Sequence, residues 1–156
     1  MNNNEKLTEV LNDLIKINHD RMKGYETSAE DAEKLGADMQ QTFHKMADQS
    51  RKYATQLTSE IQKYGGEATD GTSVGGAIHR AWIDVKTTFT GKDRHAILSS
   101  CEFGEDAAQK AYKEALASDA EMPADTSKLI TDQKAELRSS HDMIKQYRDA
   151  AKAVNA

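Results

Sequence analysis

The side chains best suited to chemistry in this chain are three carboxylates, Asp20, Glu102 and Glu105, one imidazole, His141, and a guanidinium, Arg21. Helical spacing gives them their interest. Leu7, Leu11 and Leu14 lead into Asn18, Arg21 and Tyr25, and Met39, Phe43 and Met46 lead into Ser50. Leu98 and Cys101 lead into Glu105, and Ile130, Gln133 and Leu137 lead into His141. Each apolar stripe is thus interrupted near its middle by a polar residue on the inward face. Carboxylates with an imidazole suit Fe, Mn or Zn, so one chemistry open to this set is a single ion held by Glu105, His141 and either Glu102 or Asp20. The other is internal pairing. A buried charge is costly unless it is paired. On that reading Arg21 pairs with Glu105, and His141, Ser50, Tyr25 and Tyr112 complete the hydrogen bonds of a buried polar layer.

Other reactive groups offer less. His44 and Asp48 are spaced i,i+4, which could face a metal, but such a pair on an exposed helix face is more often simply solvated. His79 and His95 stand alone. Cys101 sits on an apolar stripe and reads as a small core residue, because helix interiors rarely activate a thiol. Gly71-x-x-x-Gly75-Gly76 lacks the Lys-Ser/Thr ending of a phosphate-binding loop.

Four long helical segments must position the polar layer: about Asn4–Lys34, Asp38–Tyr64, Asp93–Ser118 and Asp125–Val154. Leu35-Gly36 reads as the stop of the first, Gly65-Gly66 as the stop of the second, and Pro123 breaks the chain before the fourth. The links after the first and third segments are short, so each joins an antiparallel pair. The stretch between the second and third, about residues 65–92, is different. It opens with turn residues, continues as a shorter helix near Ser73–Phe89 with the stripe Ile78, Trp82, Val85 and Phe89, and closes at Thr90-Gly91. A helix of about 17 residues spans ~25 Å, and about ten loop residues add more, enough to run the length of a bundle. The second and third segments are therefore expected to be parallel, joined by a helical crossover.

Composition fits one all-α domain covering residues 1–156. Charged residues make up 30%, hydrophobic residues 37%, and there is one proline. The net charge of −5 disfavours nucleic acid as a partner, because phosphate binding needs a basic face. One cysteine makes neither an internal disulfide nor a cysteine-based zinc site. No stretch approaches the ~20 apolar residues that cross a bilayer, and the first residues lack the apolar core of a signal peptide. A cytoplasmic protein that does not engage membranes is expected. The Trp82 stripe is expected to pack on the bundle or to contribute to a homodimer interface.

Several motifs carry a family resemblance. They are Gly24-Tyr25 in the first segment, Gly65-Gly66 and Gly75-Gly76-Ala77-Ile78-His79-Arg80-Ala81-Trp82 in the crossover, and Glu102-Phe103-Gly104-Glu105 with Tyr112 in the third segment. With these the chain resembles a bacterial family of ferritin-like four-helix-bundle proteins that is a domain of unknown function. The resemblance covers nearly the whole chain and implies the fold, with no activity attached. Ferritin-like di-iron proteins place a Glu on each of two helices and a Glu-x-x-His on each of the other two. Here Glu105 resembles a single-Glu position and His141 the His of a Glu-x-x-His, but the matching Glu position is Arg138, and Ser50 and Tyr53 stand where the second pair would be. The expectation is a non-catalytic structural or interaction protein with a degenerate di-metal centre and no cofactor. The alternative is a metal-binding protein with one remaining site and weak redox activity.

Overall fold

The computed structural model describes residues 1–32, 36–72 and 94–155. Among these residues four helices form a bundle: α1 (Asn3–Asp31), α2 (Ala37–Lys63), α3 (Arg94–Leu116) and α4 (Ala124–Asn155). None of the described helices is long and apolar enough to cross a membrane.

The helix ends follow from local chemistry. Asn2 caps α1: its side-chain oxygen accepts from the Glu5 backbone N–H at 2.9 Å, satisfying one of the donors a helix start leaves free. α2 closes in a Schellman turn. Gly66 N–H donates to Ile61 O and Gly65 N–H to Gln62 O, both at 3.2 Å, with Gly65 at φ 73°. Gly66 is needed for a second reason, since a Cβ there would lie 2.6 Å from Thr8 Oγ1 on α1. Gly36 departs from its expected role. α1 ends at Asp31 and is capped at Ala32, whereas Gly36, at φ 117°, immediately precedes α2 and acts as its N-cap. Its positive φ serves the entry to the second helix, not the exit from the first.

Contacts between helices set their directions. Asn3 Nδ2 donates to Glu121 O at 3.0 Å, and Glu121 N–H returns to Asn3 Oδ1 at 2.7 Å. The start of α1 therefore sits at the α3–α4 turn. Arg94 at the start of α3 lies 3.7 Å from Asp38 at the start of α2. At the opposite end, Thr126 of α4 donates to Glu60 of α2 at 3.0 Å. Hence α1 and α2 are antiparallel, α3 and α4 are antiparallel, and α2 runs parallel to α3. The described start of the connection, residues 64–72, runs along the outside of α1. Glu67 O accepts from Asn12 Nδ2 at 3.0 Å, Thr69 N–H donates to Asn12 Oδ1 at 2.8 Å, and a His19 ring nitrogen lies 2.7 Å from Gly71 O. The expected crossover helix, with Trp82 and His79, lies outside the described residues.

The core divides in two. One apolar cluster gathers Leu7, Leu11, Leu14, Leu57, Ile61 and Ile130 with their neighbours at one end. The other gathers Tyr25, Met39, Phe43, Leu98, Cys101 and Ile144. Asn18, Arg21, Ser50 and Glu105, all completely buried, stand between them.

Candidate functional site

Arg21 occupies the middle of the bundle with no exposed surface. Its Nε donates to Glu105 Oε1 on α3 at 2.8 Å. Its Nη1 donates to Ser50 Oγ at 2.8 Å and to Met46 O at 3.1 Å, both on α2, and Nη2 lies 3.4 Å from Met46 Sδ. The guanidinium carbon is 5.1 Å from the centre of the Tyr25 ring, and Tyr25 OH donates to the same Glu105 Oε1 at 2.6 Å. Each contact follows from position: Arg21 and Tyr25 are i,i+4 on one face of α1, as Met46 and Ser50 are on α2.

Electrostatics at this layer favour protonated groups. Burial, the largest influence, pulls the Arg21 pKa down, but the charge and hydrogen bond of Glu105 together with Tyr25 and Tyr53 outweigh it and hold the guanidinium above its ordinary range. Burial pushes the Tyr25 phenol well above its usual value, and the Glu105 charge adds to the effect. The Cys101 thiol is pushed up by burial and then by Glu105. Glu105 Oε2 and Asn18 Oδ1 are buried and make no hydrogen bond among the described residues.

A second polar tier lies one turn away and links all four helices. Asn18 Nδ2 donates to Tyr112 OH at 2.8 Å, Tyr112 OH donates to Gln133 Oε1 at 2.7 Å, and Gln133 Nε2 donates to Gln56 Oε1 at 3.0 Å. Tyr53 OH, beside it, bonds to Glu136. Gln133 and Gln56 join the layer beyond the residues expected from the stripes. Gln133 already interrupts the stripe between Ile130 and Leu137, and that interruption was the available signal.

The expected site residues divide into two groups. Arg21, Glu105, Ser50 and Tyr25 meet in the first tier, and Tyr112 anchors the second. His141 lies apart from both, on the α3–α4 seam. Its Nε2 is 2.6 Å from Asp106 Oδ1 and 3.9 Å from Glu102 Oε1, and its Nδ1 is 3.1 Å from Asp142 Oδ1. Asp20 is buried on α1 beside Arg21 and is not among the groups that converge on His141. Among the described residues the ligand atoms that gather with His141 come from Glu102 and Asp106, not from Glu105. Glu102 and His141 converge with Asp106, the residue one helical turn beyond Glu102, which the inward stripe does not include. His44 and Asp48 are both exposed, and Asp48 pairs with Arg51.

The bundle centre does not fit a di-metal group. Such a centre needs about four carboxylates and two imidazoles facing inward. Among the described residues Glu105 is the one carboxylate of the first tier, its Oε1 is engaged by Arg21 and Tyr25, and the Arg21 guanidinium adds a fixed positive charge.

No curated protein matches the chain. A family model described as "Domain of unknown function (DUF2383)" matches residues 6–118, from α1 through α3. The match takes in Asn18, Arg21, Ser50, Glu105 and Tyr112 and stops short of Gln133 and His141 on α4. The chain belongs to the DUF2383 family.

Proposed function

We propose that this is a non-catalytic structural or interaction protein on a ferritin-like bundle, in which the Arg21 guanidinium stands where a di-metal centre would. The observation that carries this reading is the fully buried Arg21–Glu105 pair at 2.8 Å, with side chains 0% exposed on both sides. One internal cation neutralises one internal carboxylate, so the centre has no charge left for metal ions to balance. The parallel α2 and α3 support the ferritin-like part of the reading, since that arrangement requires a long connection between them. The reactive groups around the pair support the non-catalytic part. Cys101 and Tyr25 are held protonated by burial, which leaves neither a thiolate nor a phenolate at neutral pH.

The test is elemental analysis of untagged protein from cells grown with iron, manganese and zinc, for the natural chain and for Glu105→Ala. The expected result is a metal content that does not depend on Glu105. Two ions per chain, both lost in Glu105→Ala, would overturn the proposal. Self-association belongs to the same proposal: Phe103 on α3 is 59% exposed and Met143 on α4 is 40% exposed, giving apolar side chains for contact between copies. Light scattering across a dilution series reads it. A dimer weakened by Phe103→Ser is expected, and a monomer at every concentration overturns that part.

A further inference from the structure

The α3–α4 seam carries a cluster that the bundle centre does not use. Glu102 and Asp106 are one turn apart on α3, and His141 faces them from α4. One ligand atom from each lies within 4.8 Å of the others. His141 is contacted by carboxylates on both ring nitrogens, Asp106 at 2.6 Å from Nε2 and Asp142 at 3.1 Å from Nδ1. A neutral imidazole has a single N–H. Only one of these contacts can then be its hydrogen bond, and the other sets lone pair against lone pair unless a positive charge lies between. That charge is a second ring proton or a metal ion.

Three features favour the metal ion. First, a second carboxylate oxygen stands near the same nitrogen: Glu102 Oε1 is 3.9 Å from Nε2, while Oε2 of the same carboxylate is held by Arg148. A proton on Nε2 would need only one acceptor. Second, Asp142, itself 3.3 Å from Arg138, is placed to take the Nδ1 proton and turn the Nε2 lone pair toward Asp106 and Glu102. A carboxylate behind the imidazole is the usual support of a metal-bound histidine. Third, the base of the cluster is enclosed and its mouth is open. The His141 and Glu102 side chains are 11% and 12% exposed, whereas Asp106 is 60% exposed. An ion there would have water for its remaining positions. Metal–ligand bonds of ~2.0–2.2 Å bring neighbouring ligand atoms to about 3–3.4 Å. The 2.6 Å approach must open, and the 3.9 Å approach must close, each by less than about 1 Å, within side-chain rotation.

We propose that Glu102, Asp106 and His141 form a mononuclear site for a divalent first-row transition ion on the α3–α4 seam. Two carboxylates and one imidazole suit Mn, Fe(II) or Zn, and the nitrogen ligand argues against Mg and Ca. The site is separate from the Arg21 layer and does not involve Glu105.

The experiment uses the full, untagged chain, stripped with chelator and titrated with Co²⁺. Calorimetry gives the stoichiometry, and imidazole ¹H–¹⁵N spectra show which histidine responds. One Co²⁺ per chain is expected, displaced by Zn²⁺, with the His141 signals shifted or broadened. Asp106→Asn alters an exposed side chain, leaves the bundle intact by circular dichroism, and weakens binding by more than the ~10-fold typical of losing an outer partner. His141→Gln does the same, Asp142→Asn weakens binding by about tenfold, and His44→Ala changes nothing. The proposal is overturned by absence of binding up to roughly millimolar Co²⁺. It is also overturned by binding that survives Asp106→Asn, or by loss of binding in His44→Ala with His141 unaffected.

Discussion

Replacing Glu105 by Gln tests the central layer with little change of shape. The amide oxygen can still accept from Arg21 Nε and Tyr25 OH, now at 2.8 and 2.6 Å, so the hydrogen bonds survive while the negative charge is lost. What is left is a guanidinium with no exposed surface whose hydrogen-bond partners among the described residues, Ser50, Met46 and the introduced amide, are neutral. At an effective dielectric near 20, unit charges about 4 Å apart attract by ~4 kcal/mol. Breaking a buried pair by removing one partner typically costs ~3–5 kcal/mol. The two figures agree, and the loss is a large share of the ~5–15 kcal/mol that stabilises a domain. Arginine cannot escape by shedding its proton, so the penalty stays.

The assay is urea unfolding followed by helical circular dichroism on four chains: natural, Glu105→Gln, Arg21→Met and the double variant. Each single variant is expected to lose ~3–5 kcal/mol. The double variant removes both charges and leaves the introduced amide to satisfy Tyr25. It should lose no more than about 2 kcal/mol, because replacing a whole buried pair is often close to neutral. The coupling between the two sites is then at least about 4 kcal/mol, beyond the ~0.5–3 kcal/mol usual for neighbouring residues. An additive double variant, or a Glu105→Gln chain within ~1 kcal/mol of the natural one, would refute the reasoning that the pair is charged and sealed from water.

Three further outcomes follow from the same structure. Tyr112→Phe strands Gln133 Oε1 and leaves Asn18 Nδ2 only its bond to Leu14 O, and should cost ~1–3 kcal/mol in urea unfolding, whereas Tyr64→Phe loses the contact with the Thr126 hydroxyl in a less buried setting and should cost less. Gly66→Ala drives a Cβ to 2.6 Å from Thr8 Oγ1 and should cost ~1–3 kcal/mol; Thr8→Ala in the same chain should recover most of that loss, and no recovery would place the strain elsewhere. Tyr25 and Tyr112 have folded-state pKa values raised chiefly by burial, so their contribution is complete below the unfolded value near 10 and is lost as pH rises above it. Stability should fall by ~1.4 kcal/mol per pH unit for each phenol above that point, and the Tyr25→Phe/Tyr112→Phe chain should show a shallower alkaline slope.

The central layer was legible because its members interrupt apolar stripes. Asn18, Arg21, Ser50 and Glu105 fall on the inward face at helical spacing, and a buried Arg dictates a buried acid. The parallel α2 and α3 were legible from the length of chain between them. His141 was a different case. It also falls on the α4 stripe, but a residue at the edge of an inward face can turn to a neighbouring helix as easily as to the bundle axis, and periodicity does not separate the two. Asp106 was hidden for the same reason: it is exposed, off the stripe, and acquires meaning only when α4 places His141 opposite it. Gly36 shows a further limit. A glycine between two helices announces a positive φ, yet whether that φ ends the first helix or begins the second depends on which helix its backbone joins, here α2, where Gly36 O accepts from Gln40 N–H, which composition does not encode.

The arrangement of the two tiers bears on what a polar layer does inside an otherwise apolar bundle. On either side of it, Leu, Ile and Met face one another, and a helix slipped along its axis would exchange one apolar contact for another at modest cost. At the layer this tolerance ends. Sliding α3 by one residue turns Glu105 about 100° away from Arg21, and sliding it by a full turn moves the carboxylate by about 5–6 Å. Either slip leaves the guanidinium buried and unpaired, at ~3–5 kcal/mol. The second tier makes the same demand of every helix at once, because Asn18, Tyr112, Gln133 and Gln56 come from α1, α3, α4 and α2 in turn. A pair that contributes little net stability against an apolar replacement can therefore still select one register out of several. In the double variant that selection would show as weakened cooperativity: a lower urea slope with the midpoint nearly unchanged, the expected result if register, more than stability, is what Arg21 and Glu105 provide.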